Sequence, residues 1–384
     1  MSRDLILLFI SLFTWGIGEG LFVYFQPIYL QELGASTMGI AAIFSAFGFA
    51  MMSAHIPAGY LADRLGRKPL VVAAWTSGLV AAWMMALARS LPVFVVGMLL
   101  YGLTAFVSSP LNSYVTAARG KLTPVRAMTL LSAGFNFGAV LGPVSGGWLA
   151  DHLGLRTVYL VAACLFIFST AVLLFIRSQP REVHDPDAPP PGLWTNARLF
   201  GFLAVIFVAM FAMYLPQPLT PKFLENVRGL SFGSIGLLGS LGSLGNALLN
   251  LLLGQLAART GFLVAQLLVV AFSLLLWQGT GLPWYALAYF LLGGYRAARA
   301  LILAQIRPLI HPGQMGLAYG IAETFNALSI VLAPLLAGVL YTREPVLVYP
   351  VAVGLILLGL LATTALLPRQ PAAEAPVLSL PPDA

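Results

Sequence analysis

The sequence predicts an all-α integral membrane protein: twelve transmembrane helices in two pseudo-symmetric six-helix bundles. Three observations carry this. The 384 residues are 59% hydrophobic and only 9% charged, about a third of the charged share of an ordinary soluble domain. In water such a chain would expose large apolar patches, so the solvent for most of its surface is lipid. The apolar runs, cut at clusters of charge, proline and glycine, are each near the roughly 20 residues that a helix needs to cross a bilayer. They are too long and continuous for barrel strands, and helices satisfy their backbone within lipid. Finally, the second half of the chain repeats landmarks of the first.

Spans are expected at 5–30, 37–62, 69–89, 91–116, 127–150 and 155–177, then at 198–224, 231–257, 261–281, 283–305, 314–341 and 345–367. The first runs from the N-terminus to about Tyr29 without an Ala-x-Ala cleavage site, so it reads as a retained span; it carries Glu19 and Gln26. The second and third are joined by GYLADRLGRKPL, residues 59–70, which concentrates Asp63, Arg64, Arg67 and Lys68. The fourth opens at Leu91-Pro92, carries Asn112 and has no arginine between Ser90 and Ala118. The fifth carries Asn136 and the run Gly138, Gly142, Pro143, Gly146, Gly147. The sixth holds Cys164, the one cysteine, which excludes an internal disulfide and a Cys/His metal framework.

Residues 178–198 are polar and proline-rich and read as an extended connector. The expected domains are therefore 1–177, a linker at 178–197, and 198–367, followed by a disordered tail at 368–384. In the second half, GQLAARTG joins the eighth and ninth spans. The tenth contains Tyr295, Arg296 and Arg299, and the eleventh Glu323 and Asn326. The twelfth closes the bundle.

The repeat is explicit. GYLADRLG at 59–66 aligns with GQLAARTG at 254–261, an offset of 195, and Leu91-Pro92 aligns with Leu282-Pro283, an offset of 191. GPVSGGWL at 142–149 aligns with APLLAGVL at 333–340, again 191, and PIYLQ at 27–31 with PKFLE at 221–225. Internal repeats of this kind build secondary transporters, with the cargo site near the bilayer middle between the halves.

Charge sets the orientation. An even number of spans puts both termini on one side, which collects 13 of the 20 Lys and Arg residues against five on the other. The positive-inside rule places both termini in the cytoplasm of a cell (inner) membrane. The same rule accounts for the net charge of +7 without a nucleic-acid partner. No Walker loop, zinc-binding helix or Gly-x-Ser-x-Gly occurs, so neither an enzyme nor a cofactor is expected.

Gly59, Leu61, Ala62, Asp63, Arg64, Gly66, Arg67 and Lys68 fall without gaps on a loop signature between the second and third spans, and the chain thereby resembles the major facilitator superfamily of secondary transporters. The resemblance covers about residues 5 to 367. It implies that the loop works as a conformational latch, Asp63 meeting the positive N-terminus of the eleventh span. Gly138, Gly142, Pro143, Gly146 and Gly147 resemble the antiporter motif of drug and metabolite exporters, with Thr129 where an earlier glycine is usual. Tight packing is the alternative role for those glycines. An arginine four residues before a glycine, common in the fourth span of proton-coupled members, is replaced by Met98 before Gly102.

Ionisable groups within spans are costly and mark function by default. Glu19, Arg296, Arg299 and Glu323 are the candidates. The resemblance implies that spans one, four, seven and ten line the cavity. Arg296 and Arg299, at i and i+3, share a helix face and are expected as substrate, gating or anion-clamping residues. Glu19 is the first choice for carrying a proton, and Glu323 either couples or pairs with an arginine. Gln26, Asn112, Asn136, Asn326 and Tyr295 complete the candidate cargo site. The expected function is alternating-access, proton-coupled export of a small organic or amphiphilic solute by a monomer. Transport of an anionic solute and lipid flipping on the same fold are the alternatives.

Overall fold

The computed structural model describes residues 2–179, 196–306 and 315–366. Most of the expected linker and the tail lie outside them. Among the described residues every regular element is a helix. Ten helices are long and apolar enough to cross a membrane, and a bent pair makes an eleventh. α13 (Leu282–Ile306) adds 25 residues between two of these, about 37 Å at 1.5 Å per residue. It carries the two arginines and packs against α11 and α12. Phe137 and Phe175 are each 66% exposed, which suits a surface facing hydrocarbon.

α1 (Arg3–Val23) starts where Ser2 accepts the Leu5 amide at 3.2 Å, and the same hydroxyl donates to the Ala118 carbonyl. Side-chain caps also start α7 (Pro124–Leu153) at Thr123, α9 (Ala197–Tyr214) at Asn196 and α11 (Phe232–Leu253) at Ser231. Each offers an oxygen to an amide that has no helical partner. The other long helices are α3 (Thr37–Leu65), α4 (Arg67–Leu87), α8 (Leu155–Leu174), α12 (Ala258–Gln278), α14 (Met315–Arg343) and α15 (Val348–Leu366).

Two expected spans end early. The reading of one helix through 5–30 is corrected: α1 stops at Val23 and a separate seven-residue α2 (Gln26–Glu32) follows. Pro27 has no amide to offer and its ring excludes the carbonyl one turn back. The seventh span stops likewise at Tyr214, before Pro216 and Pro218, and is followed by the seven-residue α10 (Thr220–Asn226). The match between Pro27 and Pro221 thus marks a repeated break. The fourth span is α5 (Leu91–Leu103), a 3-10 turn at Thr104–Val107, and α6 (Ser108–Ala118), with a bend of 43°. Pro143 and Pro334, also matched in the repeat, both lie inside long helices.

Successive spans, α5 with α6 counting as one, run in alternating directions. One face, called the linker face, holds the starts of α1 and α9; the far face holds α2 and α10. The two halves meet along two seams, α7 on α11 and α3 on α14. α7 also packs on α1 through the predicted glycines. An added Cβ at Gly142 would lie 2.5 Å from the Ile17 carbonyl oxygen and 2.7 Å from the Gly20 Cα. Gly147 faces the other half, where an added Cβ would lie 2.5 Å from the Phe232 carbonyl oxygen. Those positions therefore set how closely α7 approaches both α1 and α11.

Candidate functional site

Two adjoining cavities lie between the halves. The larger, about 480 Å³, is walled by Trp15, Glu19, Phe22, Trp75, Tyr101, Phe135 and, from the other half, Arg299. The smaller, about 210 Å³, is walled by Tyr24, Gln217, Asn246, Tyr289, Tyr295 and Arg296. Val23, Gln26 and Phe47 border both. A third space of about 190 Å³ adjoins the larger cavity through Leu12, Leu111 and Phe135 and contains Asn112 near the linker face.

Glu19 stands in the wall of the larger cavity. Its carboxylate accepts a 2.7 Å hydrogen bond from the Tyr101 hydroxyl, which accepts one of 3.2 Å from the Trp15 indole. Trp15, Tyr101 and Phe166 are stacked, with Trp15 and Phe166 centroids 4.0 Å apart. Behind them Trp75 donates to Ser11 and Ser169, whose hydroxyls lie 2.9 Å apart. The arrangement holds one carboxylate in a fixed place at the edge of an aromatic wall, open to the cavity.

The two arginines of α13 part company. Arg299 donates three hydrogen bonds to the Glu323 carboxylate at 2.6 to 3.1 Å. The pair is partly exposed, at 45% and 21% for the two side chains. Arg296 lines the smaller cavity beside Tyr295 and Tyr214, whose rings are 5.7 Å apart. Among the described residues Arg296 has no ion-pair or hydrogen-bond partner. Of the two arginines of α13, Arg296 thus stands available in a cavity wall while Arg299 is bound to a carboxylate.

The remaining candidates divide. Gln26 is buried where the cavities meet. Asn136 accepts a 3.2 Å bond from Asn246 across the α7–α11 seam and donates to Ser132. Asn326 is buried with its carbonyl oxygen lacking a hydrogen-bond partner. In the loop motif, Gly66 adopts φ +84°, where an L side chain is strained. Arg67 and Lys68 follow it at the start of α4. Gly59, Asp63 and Arg64 belong to the last turns of α3, and the side chains of that stretch lie outside what the structure describes.

The sequence matches the profile of the Major Facilitator Superfamily over residues 5–298. The chain belongs to the major facilitator superfamily. It is a multi-pass membrane transporter. It is 27% identical over 362 residues to the multidrug resistance protein MdtG of Salmonella paratyphi A (strain ATCC 9150 / SARB42), covering 88% of each chain. A segment of 183 residues is 32% identical to MdtG of Klebsiella pneumoniae (strain 342), covering 46% of this chain and 44% of that one. The fold is shared with the nucleoside transporter NupG, with a TM-score of 0.81 at 15% identity over 95% of this chain and 100% of that one. A POT family transporter in complex with a thioalcohol-conjugated peptide gives 0.77 at 14% identity, over 95% and 96%.

Sequence reasoning missed two parts of this facilitator. Tyr101, the partner of Glu19, sits 82 residues away with nothing local to join them. Asp151 binds the start of α11 across the seam, and the sequence signal for it is GWLADHLG at 147–154.

Proposed function

We propose that this transporter is a proton-coupled exporter of small organic or amphiphilic compounds, set in the inner membrane with its linker face in the cytoplasm. The observation that carries this is the Glu19 carboxylate, fixed by Tyr101 at the wall of the larger cavity. A cargo entering from the linker face meets aromatic rings and one carboxylate, a combination suited to an apolar body with a cationic end. Proton and cargo then compete for Glu19. Rocking of the halves exposes it to the far face, where a proton displaces the cargo, and the protonated form resets the carrier. The relatives named multidrug resistance proteins support export.

The test uses the purified chain in liposomes, an imposed pH gradient and rhodamine 6G as the probe. Wild type is expected to move the dye, and Glu19→Gln to lose the pH-driven component at least tenfold. PH-driven transport undiminished in Glu19→Gln overturns the assignment.

A second reading is favoured by Arg296. A guanidinium beside two tyrosines in a cavity suits a carboxylate or phosphate group, so the cargo on this reading is an organic anion. The same liposomes separate the two, because anion transport is lost with Arg296→Ala and kept with Glu19→Gln.

A further inference from the structure

The far face is closed by polar contacts between the halves. Gln31 and Asn226 exchange bonds of 2.9 and 3.4 Å, and Lys222 donates to the Thr37 hydroxyl at 2.7 Å. The most directed contact comes from Asp151. Its two carboxylate oxygens accept the Phe232 amide at 3.0 Å and the Gly233 amide at 2.8 Å. These are among the first amides of α11, which have no partner within their own helix. Asp151 belongs to the N-terminal half and α11 to the C-terminal half. The aromatic pair Phe25 and Phe232, centroids 6.1 Å apart, bridges the same boundary.

The sequence around Asp151 is a second copy of the loop signature. GYLADRLG at 59–66 and GWLADHLG at 147–154 agree at six of eight positions, at an offset of 88. The copies share backbone geometry. α3 and α7 each end two residues after the aspartate. Each is followed by a glycine with positive φ, +84° at Gly66 and +80° at Gly154, which starts the next helix. Because span direction alternates and α5 with α6 makes one span, the second copy, three spans on, lies at the opposite face. This is the pattern of an inverted repeat within one six-helix half.

We infer that Asp151 is a latch for the far face, the inverted counterpart of the loop at 59–70. It holds the start of α11 against the end of α7 and so stabilises the state open to the linker face. Ser231 already caps α11 from within its own half, so Asp151 is not needed to begin the helix. What it adds is a bond that exists only while the seam is closed, strengthened by the positive helix terminus. Breaking the bond shifts the balance toward the state open at the far face. Gly147 and Gly233 give the room: an added Cβ at Gly233 would lie 2.7 Å from Asp151 Oδ2.

The inference rests on the alternating-access reading but needs no cargo to test. In a Cys164→Ala background, Gln217→Cys places a thiol in the smaller cavity toward the far face. Its rate of reaction with a membrane-impermeant maleimide, applied to the far face of oriented vesicles, reports opening there. Loss of a helix cap is expected to raise that rate about fivefold in Asp151→Ala, and by less in Asp151→Asn, which keeps one acceptor oxygen. Ser231→Ala removes a cap from the same helix without touching the seam and is expected to leave the rate unchanged. An unchanged rate in both Asp151 variants, or an equal rise in Ser231→Ala, overturns the latch. Failure of pH-driven dye transport would overturn the proton-coupled reading and leave this result standing.

Discussion

At the residue scale, Glu19 is held among the described residues by one strong contact. The Tyr101 hydroxyl donates to it at 2.7 Å, and hydrogen bonds to charged groups contribute about 1.5–3 kcal/mol. Tyr101→Phe keeps the ring against Trp15 and Phe166 but leaves both the carboxylate and the Trp15 indole N–H without this partner. The expected outcome is a loss of about 1–3 kcal/mol in denaturant unfolding and about tenfold slower pH-driven transport, with dye binding within twofold of wild type. Unchanged melting and transport would show that the bond plays no part in either. Glu19 was legible in the sequence because a carboxylate inside an apolar run is costly without a role. Its partner was not, because tyrosines are common in spans and the contact is long-range. The arginines show the opposite limit. Their i, i+3 spacing predicts one shared face, yet Arg299 reaches Glu323 and Arg296 reaches the other cavity. Spacing places two Cα atoms; the long side chains choose their own partners.

At the scale of elements, α2 and α10 form a small lid at the far face. Glu32 and Glu225 approach each other across it, with Lys222 beside Glu225. Burial holds both carboxyls above the usual carboxylate value. The charge of Glu32 raises Glu225 further while Lys222 opposes this, and one Glu225 oxygen is buried without a hydrogen-bond partner. A raised pKa in the packed state means that the packed state binds protons more tightly than the solvated one. The closed lid is therefore favoured most at low pH and loses that advantage as pH rises from 4.5 through the raised values. Spin-label distances across the far face are expected to lengthen over that window in wild type, with a weaker response in Glu225→Gln. An equal response in the variant would place the titration elsewhere. The two short helices escaped the sequence reading, which carried the first and seventh spans straight through them. Pro27 and Pro221 are legible as a repeat, but their local effect, breaking the helix, is the more informative property.

For the whole molecule, the direct repeat of the two halves was legible because matched prolines, glycines and loop residues recur in order. The inverted repeat within the first half escaped notice, although GWLADHLG is a closer copy of the loop than GQLAARTG is. It places one aspartate at each end of a pair of seams, α3 on α14 and α7 on α11. If each aspartate latches its own face, their effects on the carrier have opposite signs. Asp63→Asn weakens the state closed at the linker face, so Gln217→Cys should react more slowly from the far side. Asp151→Asn weakens the state closed at the far face, so the same thiol should react faster. The sites lie at the ends of two different helices, α3 and α7, so their free energies should add. The double variant is then expected to return to within about twofold of the wild-type rate, while transport stays below wild type because both closed states are weaker. A double variant that reacts as fast as Asp151→Asn alone would remove Asp63 from the balance and leave the far face with the only latch.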